Sequence, residues 1–114
     1  MMQEFDTIVA RLQRHPGMQG VMLVGMEDGF IIAGDAGDGR DSDTAAALAT
    51  SLFRRTKAAS GEAGLGDVSF IRLEADRGHL CAAAKGDIAI VTVAGSGINL
   101  GKLRLEMLSA VELL

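Results

Sequence analysis

The chain has 114 residues, 48% of them hydrophobic and 23% charged, with a single proline and a formal net charge of −4. That length fits one domain of ordinary size, and this apolar content lies far from the disordered range. Its 11 Lys and Arg are scattered among 15 Asp and Glu, which excludes the clustered basic footprint of a nucleic-acid binder; the apolar runs are a few residues long, far short of the about 20 needed to span a bilayer.

One cysteine, Cys81, cannot make an internal disulfide, and no charged segment followed by an apolar stretch opens the chain, so a cytoplasmic protein without membrane insertion is expected. Trp and Tyr are absent and Phe is limited to four residues. The core must therefore be built from Leu, Ile, Val, Met and Ala, in closely approaching layers.

In chain order, Phe5, Ile8, Val9 and Leu12 recur at three- and four-residue spacing, which predicts an amphipathic helix over residues 2–14, stopped by Pro16 and Gly17. Residues 20–26 are an apolar run without polar alternation, as expected of a strand covered on both faces. Glu27, Asp28 and Gly29 read as a hairpin turn, and residues 30–33 return as a second strand. A glycine- and aspartate-rich loop follows, and Asp41 or Ser42 can cap a helix reaching to about residue 59. One face of that helix carries Ala45, Leu48, Ala49, Leu52 and Thr56. A neighbouring face carries Ala46, Thr50, Phe53 and Lys57 and is more apolar than solvent contact requires.

Gly61, Gly64 and Gly66 end the helix, and strands are predicted over residues 67–75, 79–85 and 88–94. The turns between them are too short for anything but antiparallel neighbours. The last strand is nearly continuous and apolar and belongs in the centre of the sheet, whereas Ser69, Arg72 and Glu74 place the first near an edge. Asn99 caps a closing helix over residues 100–114. The order αββαβββα makes an α/β fold: one five-stranded antiparallel sheet ordered 2-1-5-4-3, with helices on both faces.

Chemistry-bearing patterns fall short of their requirements. The glycine-rich stretch from Ala94 to Lys102 has Ser96 where a P-loop needs its first glycine and Leu103 where it needs the magnesium-binding hydroxyl; its glycines also miss the dinucleotide spacing by one residue. Asp35, Asp38, Asp41 and Asp43 lack the alternate ligands and closing glutamate of a calcium loop. His79 and Cys81 share one face of a strand, but two ligands are not a metal site, and nothing in the sequence brings His15 near them. No serine sits in a nucleophile elbow. The expectation is a binding protein with no catalytic residues, metal or cofactor.

The segment His-Pro-Gly-Met-Gln-Gly-Val-Met-Leu-Val at residues 15–24, followed by Asp28 and Gly29, resembles the opening of roadblock/dynein light chain domains. Ile-Asn-Leu-Gly-Lys-Leu-Arg at residues 98–104 resembles their closing-helix motif. The resemblance extends over nearly the whole chain and implies a profilin-like sheet, together with a homodimer in which edge strands join and the middle helices pair.

An unpaired edge at residues 67–75, with Ser69, Ile71 and Leu73, agrees with such a dimer, as does the helix face bearing Ala46, Thr50 and Phe53. Bacterial and archaeal members of the family are similar to regulators of Ras-like small GTPases. By that resemblance the paired helices would present Phe53, Arg54 and Lys57 to a GTPase. An arginine supplied in trans would have to be Arg54 or Arg55, and no pattern selects either. An adaptor subunit indifferent to nucleotide state is an alternative reading. A small-molecule sensor is another, although Ala82, Ala83 and Ala84 argue for tight packing over a roomy pocket.

Overall fold

The computed structural model describes residues 2–114, as α1 (Met2–Gln13), β1 (Met18–Gly25), β2 (Ile31–Asp35), α2 (Ser42–Glu62), β3 (Ile71–Ala75), β4 (Gly78–Lys85), β5 (Ile88–Ala94) and α3 (Leu100–Val111). The five strands form one sheet in the order β2-β1-β5-β4-β3, every neighbouring pair antiparallel. This is the predicted topology.

The continuous apolar character of β1 and β5 has its cause here, because both strands are covered on both faces. Side chains alternate across a strand. Val21, Leu23, Ile90 and Ala94 therefore enter one core with α1 and α3, through Ile8, Leu12, Leu103 and Met107. Met22, Val24, Ala89 and Val91 enter a second core with α2, through Ala46, Ala49 and Phe53. The single helix α2 thus faces the sheet from one side, and α1 and α3 share the other.

Gly34 has to be glycine for two reasons. Its φ is 82°, in the left-handed region, and a Cβ there would lie 2.0 Å from the Val21 carbonyl oxygen across the β1–β2 ladder.

Several boundaries differ from the predicted ones. β2 begins at Ile31, and Phe30 is left 73% exposed in the turn, where its amide donates to Asp28 Oδ1 at 2.9 Å. The helix α2 continues through Gly61 to Glu62, and α3 ends at Val111 rather than at the last residue. β3 is only five residues long. The segment before it runs alongside without a ladder partner, with Val68 leaning on the α2 core and Phe70 on the α3 core, under the Arg104 guanidinium.

Asp41 caps α2 as predicted: its carboxylate accepts the Thr44 amide at 3.1 Å and the Thr44 hydroxyl at 2.9 Å. These bonds favour the charged form and hold the carboxyl below its ordinary value of 3.8, the Thr44 amide contributing most. A depressed folded-state pKa contributes stability above the unfolded value, and that contribution disappears as pH falls through the folded one. Replacing Asp41 with asparagine, which keeps the cap but cannot titrate, is expected to flatten the acid limb of the stability curve below about pH 4. Urea midpoints of the two proteins between pH 2 and 6 read this directly.

Candidate functional site

The sheet has two open edges, β2 and β3, and the β3 edge adjoins an apolar strip that α2 covers only in part. Its half-buried members are Ile71 on β3, Leu80 on β4 and Val93 on β5, with Leu73 on β3 at 43% exposed. Leu52 and Thr56 of α2 face Ile71 and Leu73 across a groove of about 340 Å³. The strip continues past Ala45 into a second recess of about 270 Å³ floored by Leu80 and Val93, with Arg40 and Arg77 at its rim. Leu48, one turn before Leu52, stands 65% exposed.

The helix face expected to meet a second copy is the one its own sheet has taken. Ala46, Thr50 and Phe53 are 0–1% exposed, and Ala46 and Phe53 belong to one core with Met22, Val24, Ala82, Ala89 and Val91. The physical reason is size: Phe53 is the one large α2 side chain in that core, to which the sheet contributes the small Ala82 and Ala89 beside Met22, Val24 and Val91. The buried Thr50 hydroxyl donates to the Ala46 carbonyl at 3.0 Å, so its burial leaves no polar group unpaired. The outward line of α2 is instead Leu48, Leu52 and Thr56, with Ala45 beside it leaning on the second core.

Ser69 is exposed and precedes β3, outside the β3–β4 ladder. Ile71 and Leu73 do lie on the edge strand, in the groove.

Of the expected partner contacts, the Arg54 guanidinium donates to the Met26 carbonyl and so ties α2 to the end of β1. Lys57 pairs with Asp67 at 3.6 Å, both largely exposed. Arg55 is exposed and, among the described residues, makes no ion pair. Leu48 and Arg55 are seven residues apart, two helical turns, and lie on one outward line. The signal that could have found this line was the Ala45, Leu48, Leu52, Thr56 spacing itself.

The remaining candidates are spread apart. His79 and Cys81 are buried on the α3 side of β4, while His15 sits at the end of α1, its Nδ1 donating to Glu106 at 2.8 Å. Burial pushes the Cys81 thiol up, away from the thiolate a nucleophile needs. Asp41 is spent on its cap, and Asp35 accepts the Gly37 amide. Among the described residues no group of three or more His, Cys, Asp or Glu could hold a metal ion, and no helix is long and apolar enough to cross a membrane.

Residues 4–94 match the family model of the Roadblock/LC7 domain. The chain belongs to the Roadblock/LC7 family. It is 27% identical to the uncharacterized protein MJ1340 of Methanocaldococcus jannaschii over 107 residues, which cover 94% of this chain and 93% of that protein. Among solved structures, a Roadblock/LC7 domain from Streptomyces avermitilis superposes with a TM-score of 0.84 at 25% identity, covering 94% of this chain and 91% of that one. The gliding protein MglB of Thermus thermophilus shares the fold, with a TM-score of 0.87 at 22% identity over 99% of this chain and 87% of that one.

Proposed function

We propose that this Roadblock/LC7 chain is a non-enzymatic binding module that pairs with a second copy through the β3 edge and the outward line of α2, and that the paired surface docks a Ras-like small GTPase. The observation that carries the pairing is the partly open strip of Leu52, Ile71, Leu73, Leu80 and Val93 beside an open strand edge. In a two-fold dimer this patch meets itself, each edge supplies the ladder groups the other lacks, and one contact removes both liabilities. The similarity of the opening and closing motifs to GTPase regulators supports the partner.

With Leu52 and Thr56 turned toward the pairing groove, Leu48 and Arg55 form the crest of each α2, and in the dimer they make a composite platform of apolar and cationic groups. Such a platform regulates by binding one arrangement of the GTPase switch segments more tightly than the other; a partner with equal affinity for both shifts nothing.

Capture of a Ras-like GTPase from the same genome, loaded with GDP or a non-hydrolysable GTP analogue, tests this reading. The expected result is a preference of at least about tenfold for one nucleotide state, a difference of about 1.4 kcal/mol. Arg55→Glu should weaken capture about tenfold while the dimer persists. Equal capture in both states would leave an adaptor, and no capture would remove the GTPase from the account.

A further inference from the structure

On the face of the sheet opposite α2, the end of α1 and the start of α3 meet above the turn that leads into β1. Between them lies a recess of about 150 Å³ lined by Arg11, Arg14, His15, Lys102 and Glu106, with Leu12 beneath. Three cations on one small opening are unexpected in a chain of net charge −4. Among the described residues none of the three makes an ion pair. The one carboxylate in the lining is already engaged, since Glu106 accepts from His15 Nδ1 at 2.8 Å and the His15 side chain is only 2% exposed. That bond joins the α1–β1 turn to α3 and sets the spacing of the two walls.

The positions of the cations follow from the helices. Arg11 lies in the last turn of α1 and Arg14 in the turn that follows it; Lys102 stands in the first turn of α3, where its backbone amide donates to Asn99 Oδ1 at 3.1 Å. The two helices present opposite dipole ends here, so the side chains set the sign of the field. Two guanidinium forks and an ammonium opposite them suit a tetrahedral oxyanion, which an arginine grips through paired N–H groups. The size selects a small group, for the recess is well below the about 300 Å³ at which sites for drug-sized ligands begin.

We propose that this recess binds a phosphate-type dianion, taken either as inorganic phosphate or as the phosphate of a small monoester, and that the anion bridges α1 to α3. Bound there, it sits behind the sheet from the pairing surface and leaves both β3 and α2 free.

The test is a titration of the isotopically labelled protein with sodium phosphate, followed by NMR, with sodium chloride at matched ionic strength as the control and glycerol 3-phosphate as a parallel arm. The expected result is saturable movement confined to the Arg11 and Arg14 side-chain N–H groups, the His15 ring and the Lys102 amide. Arg14→Gln and Lys102→Gln should each weaken binding about tenfold, as loss of one charged hydrogen-bond partner does, and Lys102→Arg should restore most of it. Saturation with both probes, or with one, establishes the site and names the source of the phosphate. Drift that never saturates and matches chloride would overturn the proposal. So would saturation unchanged in the two glutamine variants.

Discussion

Replacing Phe53 with alanine is expected to lower the free energy of unfolding by about 3–5 kcal/mol, the range for removing a fully buried aromatic side chain. Phe53 is 1% exposed and is the bulkiest fully buried side chain among the described residues. It shares its core with the small residues Ala46, Ala49, Ala82 and Ala89, whose short side chains cannot extend to fill the space left behind. Small domains are stable by about 5–15 kcal/mol in total, so a large fraction would go at once. Urea unfolding at a fixed chain concentration measures it, the concentration being held because pairing adds to apparent stability. A cost below about 1 kcal/mol would put Phe53 back on the surface.

Leu73→Glu is expected to abolish pairing while leaving the chain folded. Leu73 is 43% exposed in the single chain, so a carboxylate there remains hydrated and the monomer tolerates it. In the dimer the same carboxylate would be trapped in an apolar strip beside its symmetry mate. A charge stripped of water without a partner costs several kcal/mol, which corresponds to a dimer at least about a hundredfold weaker. Sedimentation velocity of the variant over a range of concentrations reads the change. Leu105→Glu is the control, since Leu105 is 65% exposed on α3, on the opposite face, and should leave pairing intact.

Much of this architecture is legible in the order of the amino acids alone. The unbroken apolar runs of β1 and β5 mark strands covered on both sides. The short turns after β3 and β4 force antiparallel neighbours, and Asp41 and Asn99 mark their helix starts by capping chemistry. The phase of α2 cannot be read the same way. Ala45, Ala46, Ala47 and Ala49 surround the helix with small apolar groups, so hydrophobic contrast around it is low. What decides its orientation is the core it shares with Ala82, Ala89 and Val91, on strands that come much later in the chain.

Periodicity alone therefore presents Phe53 as a contact for a partner, when it belongs to the second core, and groups Leu48 and Leu52 with the buried Ala49, when Leu48 turns outward and Leu52 faces the β3 edge. The start of β3 is hidden for a related reason: the polarity of Ser69, Arg72 and Glu74 locates an edge, but the ladder begins only at Ile71. The recess between α1 and α3 has no local signature at all, because its defining contact joins residues 91 apart.

The central claim is that the β3 edge and the outward line of α2 are completed by an identical copy. Sedimentation equilibrium of the unmodified protein at micromolar concentrations tests this most directly, against a chain mass of 11.9 kDa. The expected result is twice that mass, falling to the single-chain value when Leu73 is replaced by glutamate. A single-chain mass at every concentration, with the strip still open to solvent, would contradict it.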